Sequence, residues 1–131
     1  MKLFPILTLI VLASLALIRA AAADDFTTRA NAGLAASQTP KGSEFGHSLM
    51  PTLEHIDAFC DPTGTVLPAS ELGLVNLVGD ITPAGQLINI KTQPDTAITK
   101  CFAAQLATQK FFPPHAASGN YPLFIQLNVT N

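Results

Sequence analysis

Apolar residues fall into separate blocks along the chain, and their spacing differs from block to block. Leu3–Ile18 is uncharged and consists mostly of Leu, Ile, Val and Ala. Asp24–Gly46 holds few large apolar residues and is rich in Ala, Thr, Ser, Gly and Asn, which predicts a mobile or weakly helical segment. Leu49, Leu53, Ile56, Phe59 and Cys60 then recur at i, i+4, i+7, i+10 and i+11, one face of a helix. Pro51 fits its first turn, where no amide donor is needed. Asp61-Pro62-Thr63-Gly64 ends it, because the residue before a proline avoids the α region and glycine closes the turn. Leu72–Ile81 is apolar on both alternating faces, the mark of a central strand.

Thr82-Pro83-Ala84-Gly85 predicts a turn, with proline fixing φ and glycine free to take a positive one. Gln86–Gln93, carrying Leu87, Ile88 and Ile90, is then the return strand of a hairpin. Pro94-Asp95 opens a second helix in which Asp95 or Thr96 caps the first amides. Ile98, Cys101, Phe102, Gln105, Leu106 and Gln109 form its stripe, so it runs to about Lys110 before Pro113-Pro114 stops it. In Tyr121–Val129, Leu123, Ile125, Leu127 and Val129 alternate with Phe124, Gln126 and Asn128, giving one apolar face. The order is α-β-β-α-β, an α+β fold: a three-stranded antiparallel sheet with two helices on one face. If all neighbours are antiparallel, the last strand pairs with Leu72–Ile81, which becomes central.

The first block changes how the rest is read. Met1-Lys2 supplies one basic charge, and the 16 residues of Leu3–Ile18 are short for a span of ~30 Å of hydrocarbon. Ala20–Ala23 offers the small residues a signal peptidase admits, so the pattern predicts an export signal over 1–23, cut before Asp24. The alternative is a retained anchor, which Arg19 favours. Cleavage gives a flexible segment at 24–46 and one domain at 47–131, periplasmic or secreted and without stable membrane insertion. Residues 24–131 carry five Lys and Arg against nine Asp and Glu, a formal charge of −4. Nucleic acid and anionic membrane surfaces, which require a basic patch, are thereby excluded as expected partners. In an oxidising compartment Cys60 and Cys101 are expected to pair, and closing that loop contributes about 4 kcal/mol in the chain-entropy account. The alternative is two unrelated buried thiols.

No arrangement of reactive residues predicts an enzyme, a metal site or a cofactor. His47, His55 and His115 are scattered, and no Cys-x-x-Cys or His-x-x-x-His spacing sets a tetrahedral zinc site. Ser37, Ser43, Ser48, Ser70 and Ser118 lie in no Gly-x-Ser-x-Gly elbow. His47-Ser48 are neighbours in sequence only. Glu54, His55 and Asp57 belong to the polar side of the first helix. No glycine run cradles phosphate. Asn128-Val129-Thr130 matches a glycosylation sequon but reads as strand alternation.

The hairpin centred on Gly85, the helix ending in Phe112-Pro113-Pro114 and the final alternating strand together resemble the TonB C-terminal domain. The chain is most similar to the AgmX/PglI C-terminal subgroup, which has a cysteine in each helix, as Cys60 and Cys101 stand here. The resemblance covers roughly Leu49–Val129. Lys110 stands where that family usually has Trp, the Tyr-Pro before the first helix is absent, and so is the long Pro-rich periplasm-spanning segment. The energy-transducing role therefore does not carry over. What the resemblance implies is capture of an extended segment of a partner along the last strand.

The last strand is an edge in this topology, with unpaired outer backbone groups, and Tyr121–Asn131 contains no charge to blunt it. The expected site is thus Tyr121, Leu123, Phe124, Ile125, Gln126, Leu127, Asn128 and Val129, binding an extended peptide of an envelope protein or a second copy of the chain as a homodimer. A covering of this edge by Asp24–Gly46 is the competing expectation. The other function classes are an accessory subunit or small inhibitor of an envelope enzyme, and a hydrolase whose site the sequence does not reveal. For processing, the exported protein should have the intact mass of Asp24–Asn131 with one disulfide. A full-length mass in the membrane fraction would establish an anchor instead.

Overall fold

A threonine followed by a proline starts the longest helix well ahead of its main apolar stripe. In the computed structural model, which describes residues 25–62, 64–116 and 119–131, the Thr39 hydroxyl accepts the Gly42 amide at 3.0 Å and Pro40 takes the first helical position. Helix α1 covers residues 25–37, and α2 runs from Pro40 to Cys60. A 3-10 turn at Ala69–Glu71 leads to β1, Gly73–Ile81, followed by β2, Leu87–Gln93. Helix α3, Ala97–Ala107, and strand β3, Tyr121–Val129, complete the chain. The expected signal over 1–23 and its cut at Asp24 lie outside the described residues, as do Thr63 and Ser118.

The fold is α+β, with an antiparallel sheet in the order β2-β1-β3. Residues Gly73–Ile81 pair without interruption with Val129–Tyr121, so β1 is the central strand as its two-sided apolar pattern predicts. Helices α2 and α3 share one face. Phe45, Leu49 and Ile56 of α2 and Ile98, Phe102 and Leu106 of α3 pack into one core with Leu77, Ile81, Leu87, Leu123 and Ile125, and Leu127 and Val129 add to it. Cys60 and Cys101 form a disulfide with Cα atoms 5.8 Å apart, which joins the end of α2 to the first turns of α3. Such a bond is compatible with an oxidising location. No helix among the described residues is long and apolar enough to cross a membrane.

Three expectations change. Residues 24–46 are not simply a loose tail: they contribute α1 and the first two turns of α2, with Phe26 and Phe45 buried. Pro51 is therefore interior to α2 rather than in its first turn, and it leaves the His47 carbonyl without its usual amide donor. Phe59, placed on the apolar stripe by its spacing, is 62 % exposed at the helix end.

Turn chemistry fixes the hairpin. Gly85 has φ +86°, its amide donates to the Thr82 carbonyl at 2.8 Å, and the Thr82 amide donates to the Gln86 carbonyl at 2.9 Å. A β-bulge shifts the β1–β2 register between Val78 and Asp80, opposite Asn89, whose φ of +54° an asparagine tolerates. Helix α3 is capped twice over. Thr96 and Thr99 exchange side-chain and backbone hydrogen bonds, and Glu71 reaches across from the 3-10 turn to accept the Ala97 and Ile98 amides at 3.2 Å each. Asp95 is not the cap.

The Ile98 amide, with help from Ala97 and Thr96 and against a desolvation cost, holds the Glu71 carboxyl below its ordinary value of 4.5. A lowered folded pKa stabilises the fold above pH 4.5, and that contribution is lost as the pH falls through the lower folded value. A Glu71→Gln variant should therefore melt below wild type at neutral pH, and the two melting curves should converge as the medium is acidified. A gap that persists unchanged in acid would show that the carboxylate charge is not what stabilises α3.

Candidate functional site

Small residues at helical spacing let a helix come unusually close to a strand. In α1, Phe26, Arg29, Ala30, Gly33, Ala36 and Ser37 occupy one face, and most are short side chains. That face lies on the side of the sheet opposite α2 and α3. Arg29 makes an ion pair with Asp80 of β1 at 3.4 Å and also donates to the Asn89 carbonyl at the bulge of β2. Asn89 in turn donates to Asp80 at 3.1 Å. A side chain on Gly33 would put its Cβ 2.6 Å from Phe124 Cβ and 2.7 Å from the Phe124 nitrogen, so α1 rests directly on the backbone of β3. Lys91 and Asp25, 4.0 Å apart and both exposed, add little.

From α1 the chain turns at Gln38-Thr39 and enters α2 on the opposite face, so it passes around the outer side of β3. The elbow and the strand enclose an apolar cleft of about 130 Å³, bounded by Gly33, Gly42, Gly46 and Leu49 on one side and by Tyr121–Ile125 on the other. The Tyr121 ring stands edge-on to Phe45, with centroids 5.2 Å apart, and burial raises the pKa of its hydroxyl.

The structure thus divides the expected edge in two. Tyr121, Leu123, Phe124 and Ile125 line the cleft under the α1–α2 elbow. Gln126, Leu127, Asn128 and Val129 lie beyond it, exposed or half-buried. On the outward face Gln126 donates to the Asn76 side chain at 2.9 Å, a cross-strand amide pair. After the strand, the Asn131 side chain accepts the Leu67 amide at 2.8 Å and donates to the Leu67 carbonyl at 3.4 Å, which holds the chain end against the loop before β1.

The remaining candidates are dispersed. Ser48 donates to the Phe45 carbonyl one turn back, at 2.6 Å, and is not directed at His47. Glu54, His55 and Asp57 are exposed along α2. Among the described residues no group of three or more His, Cys, Asp or Glu is placed to hold a metal ion. Sequence reasoning missed Arg29 and Gly33, which set the position of α1. The available signal was the spacing of Arg29, Gly33 and Ala36 on one helical face.

The fold and the edge define a disulfide-stapled α+β domain with one half-covered sheet edge. Comparison of the chain with protein-family models, with curated proteins and with solved structures gives no match.

Because the Gly33 seat is backbone, a methyl group there cannot be accommodated by a side-chain rotation. Gly33→Ala should lift α1 from β3, with overpacking of about 1–3 kcal/mol outweighing the ~1 kcal/mol that alanine gains in helix propensity. Amide hydrogen exchange should quicken in residues 25–37 and in Tyr121–Ile125 while β1 keeps its protection. Unchanged exchange in α1 would show that the contact is not tight in solution.

Proposed function

We propose that this chain is an exported, non-catalytic protein-binding module that takes an extended segment along the outer side of β3, over Gln126–Thr130. The segment belongs to an envelope protein or to the same strand of a second copy. The observation that carries the reading is the unequal surroundings of β3: the cleft under the elbow takes in Tyr121–Ile125, while the strand continues to Val129 with β1 as its paired neighbour. Backbone donors and acceptors on such a side are a template for another strand. Tyr121–Asn131 has no charge that opposes it.

The resemblance to TonB C-terminal domains supports the same reading, because those domains capture an extended segment of a partner at this edge. The site is narrower here than the sequence suggests, since Tyr121–Ile125 is under the elbow. An added strand registers against Gln126–Thr130 and places alternate side chains beside Leu127 and Val129 on one face and beside Asn128 on the other. The disulfide and the export pattern support an oxidising, extracytoplasmic setting.

Asn128→Lys with Thr130→Lys tests the edge and spares the Gln126–Asn76 pair. The probe is a labelled synthetic peptide copying Leu123–Asn131. Wild type should bind it, and binding should weaken by about tenfold or more in the double variant, because lysines on an edge disfavour a further strand. Thermal stability should stay within about 0.5 kcal/mol, as for ordinary surface substitutions. Undiminished binding by the variant would sink the edge as the site, and a wild type that neither binds the peptide nor self-associates would sink the second-copy reading.

A further inference from the structure

Glycines line the cleft between the α1–α2 elbow and β3 at positions 33, 42 and 46, and close packing accounts for the first two. A side chain on Gly33 would strike the backbone of Phe124, and one on Gly42 would put its Cβ 1.8 Å from the Ala36 carbonyl oxygen, so both keep the elbow tight. Gly46 is different. It lies inside α2, where glycine is a poorer helix former than alanine. A Cβ built on it meets no atom within 4 Å among the described residues. The helix thus gives up propensity at a position where a side chain would enter open space, and that space is the cleft.

The walls are apolar, with Leu49 and Leu53 from α2 and Leu123 and Ile125 from β3. The Ser37 hydroxyl is committed to the Leu34 carbonyl at 2.7 Å, so its proton is not offered to a ligand. A dry apolar cavity of about 150 Å³ accepts a benzene molecule. The cleft, at about 130 Å³, takes a group of similar size, such as one Leu, Ile, Met or Phe side chain. Its place on the strand matters as much as its size. The lining ends at Ile125, and the free edge begins at the next residue, Gln126. Ile125 belongs to the core on the α2 side of the sheet. Residues directly opposite each other in an antiparallel pair share a face. A strand added along Gln126–Thr130 and carried one residue further therefore sets a side chain opposite Ile125 on the α2 side, where Gly46, Leu49 and Leu53 line the cleft.

We infer that the elbow cleft is the specificity pocket of the β3 edge and takes one large aliphatic or aromatic side chain, carried by the bound segment at the position opposite Ile125. The inference rests on the edge reading above and adds to it the class of segment selected. Backbone pairing along Gln126–Thr130 accepts almost any sequence, whereas the cleft does not. A charged side chain at the anchor position loses its water there and finds no partner. A glycine or alanine leaves the void unfilled. Main-chain bonds thus supply affinity, and the pocket beside them supplies the choice of sequence.

The test selects binders from a random peptide phage library against the oxidised, exported protein and measures selected peptides by fluorescence anisotropy. Peptides that Asn128→Lys with Thr130→Lys weakens are the edge binders, and these should share one large apolar residue at an end of the paired stretch. Replacing that residue by alanine should weaken binding by about tenfold or more, the loss of one buried apolar side chain. Gly46→Leu, which fills the cleft from within the protein, should weaken the parent peptide by a similar factor. The two losses should not add, because both remove the same contact. Gly46→Leu should melt no lower than wild type, which separates loss of the pocket from loss of the fold, and Gly46→Ala is the milder variant, with a smaller loss of binding. Full-strength binding to Gly46→Leu by a peptide that the edge lysines weaken would overturn the inference and leave the edge reading standing. Enriched peptides untouched by the edge lysines, or no enrichment, would remove the edge as a peptide site and the inference with it. Self-association lost in Gly46→Leu without any peptide would assign the cleft to a second copy and also overturn the inference.

Discussion

The rest of the molecule is arranged around a strand whose middle is buried on both sides. In β1, Val78 and Ile81 are fully buried and Leu77 nearly so, yet Val78 and Leu77 point to opposite faces. Burying a Val, Leu or Ile side chain contributes roughly 1.5–3 kcal/mol, and a strand with such residues on both faces gains this only if both are covered. Helices α2 and α3 cover one face. A sheet of three strands has no further element to cover the other, so α1 must return across it, and to return it must pass around an edge. The elbow beside Tyr121–Ile125 follows from that requirement. Partial closure of the edge is thus a by-product of burying β1 on both faces.

The two faces are held by different means. On the α2/α3 face large side chains interlock, and the disulfide ties the helix ends together where the stripe of α2 runs out at Cys60. On the α1 face the side chains are small, so the gain from burial is modest and geometry does more. Arg29 is directed at Asp80 and at the Asn89 carbonyl, and the bulge in β2 supplies that carbonyl. A bulge is often read as a sheet irregularity. Here it turns a backbone acceptor toward the helix that covers the sheet.

Large apolar residues made most of the architecture legible in the sequence. The stripe from Leu49 to Cys60, the two-sided pattern of Leu72–Ile81, the Gly85 turn and the alternation of Leu123–Val129 predict the elements, and antiparallel pairing then places β1 in the centre. The pairing of Cys60 with Cys101 was legible too. The second layer was not, because Ala30, Gly33 and Ala36 mark a helix face by their smallness, and small residues carry a weak hydrophobic signal. A clue was nevertheless present: a strand apolar on both faces is incompatible with a sheet that has helices on one face only. For the candidate site, the charge-free last strand was visible from sequence, while its division at Ile125 depends on where α1 turns.

The seat of Gly33 also has a temporal meaning. It is made by Leu123 and Phe124, roughly 90 positions later in the chain, so among the contacts of α1 it has one of the largest loops to close. Loop closure over such a distance costs entropy before any contact rewards it. Helix α1 can meet β1 and β2 through Arg29, but its Gly33 seat does not exist until the final strand has paired with β1. During that interval β1 has one bare apolar face. The last stretch of the chain thus completes the seat of the first, and a molecule that ends before Phe124 lacks it.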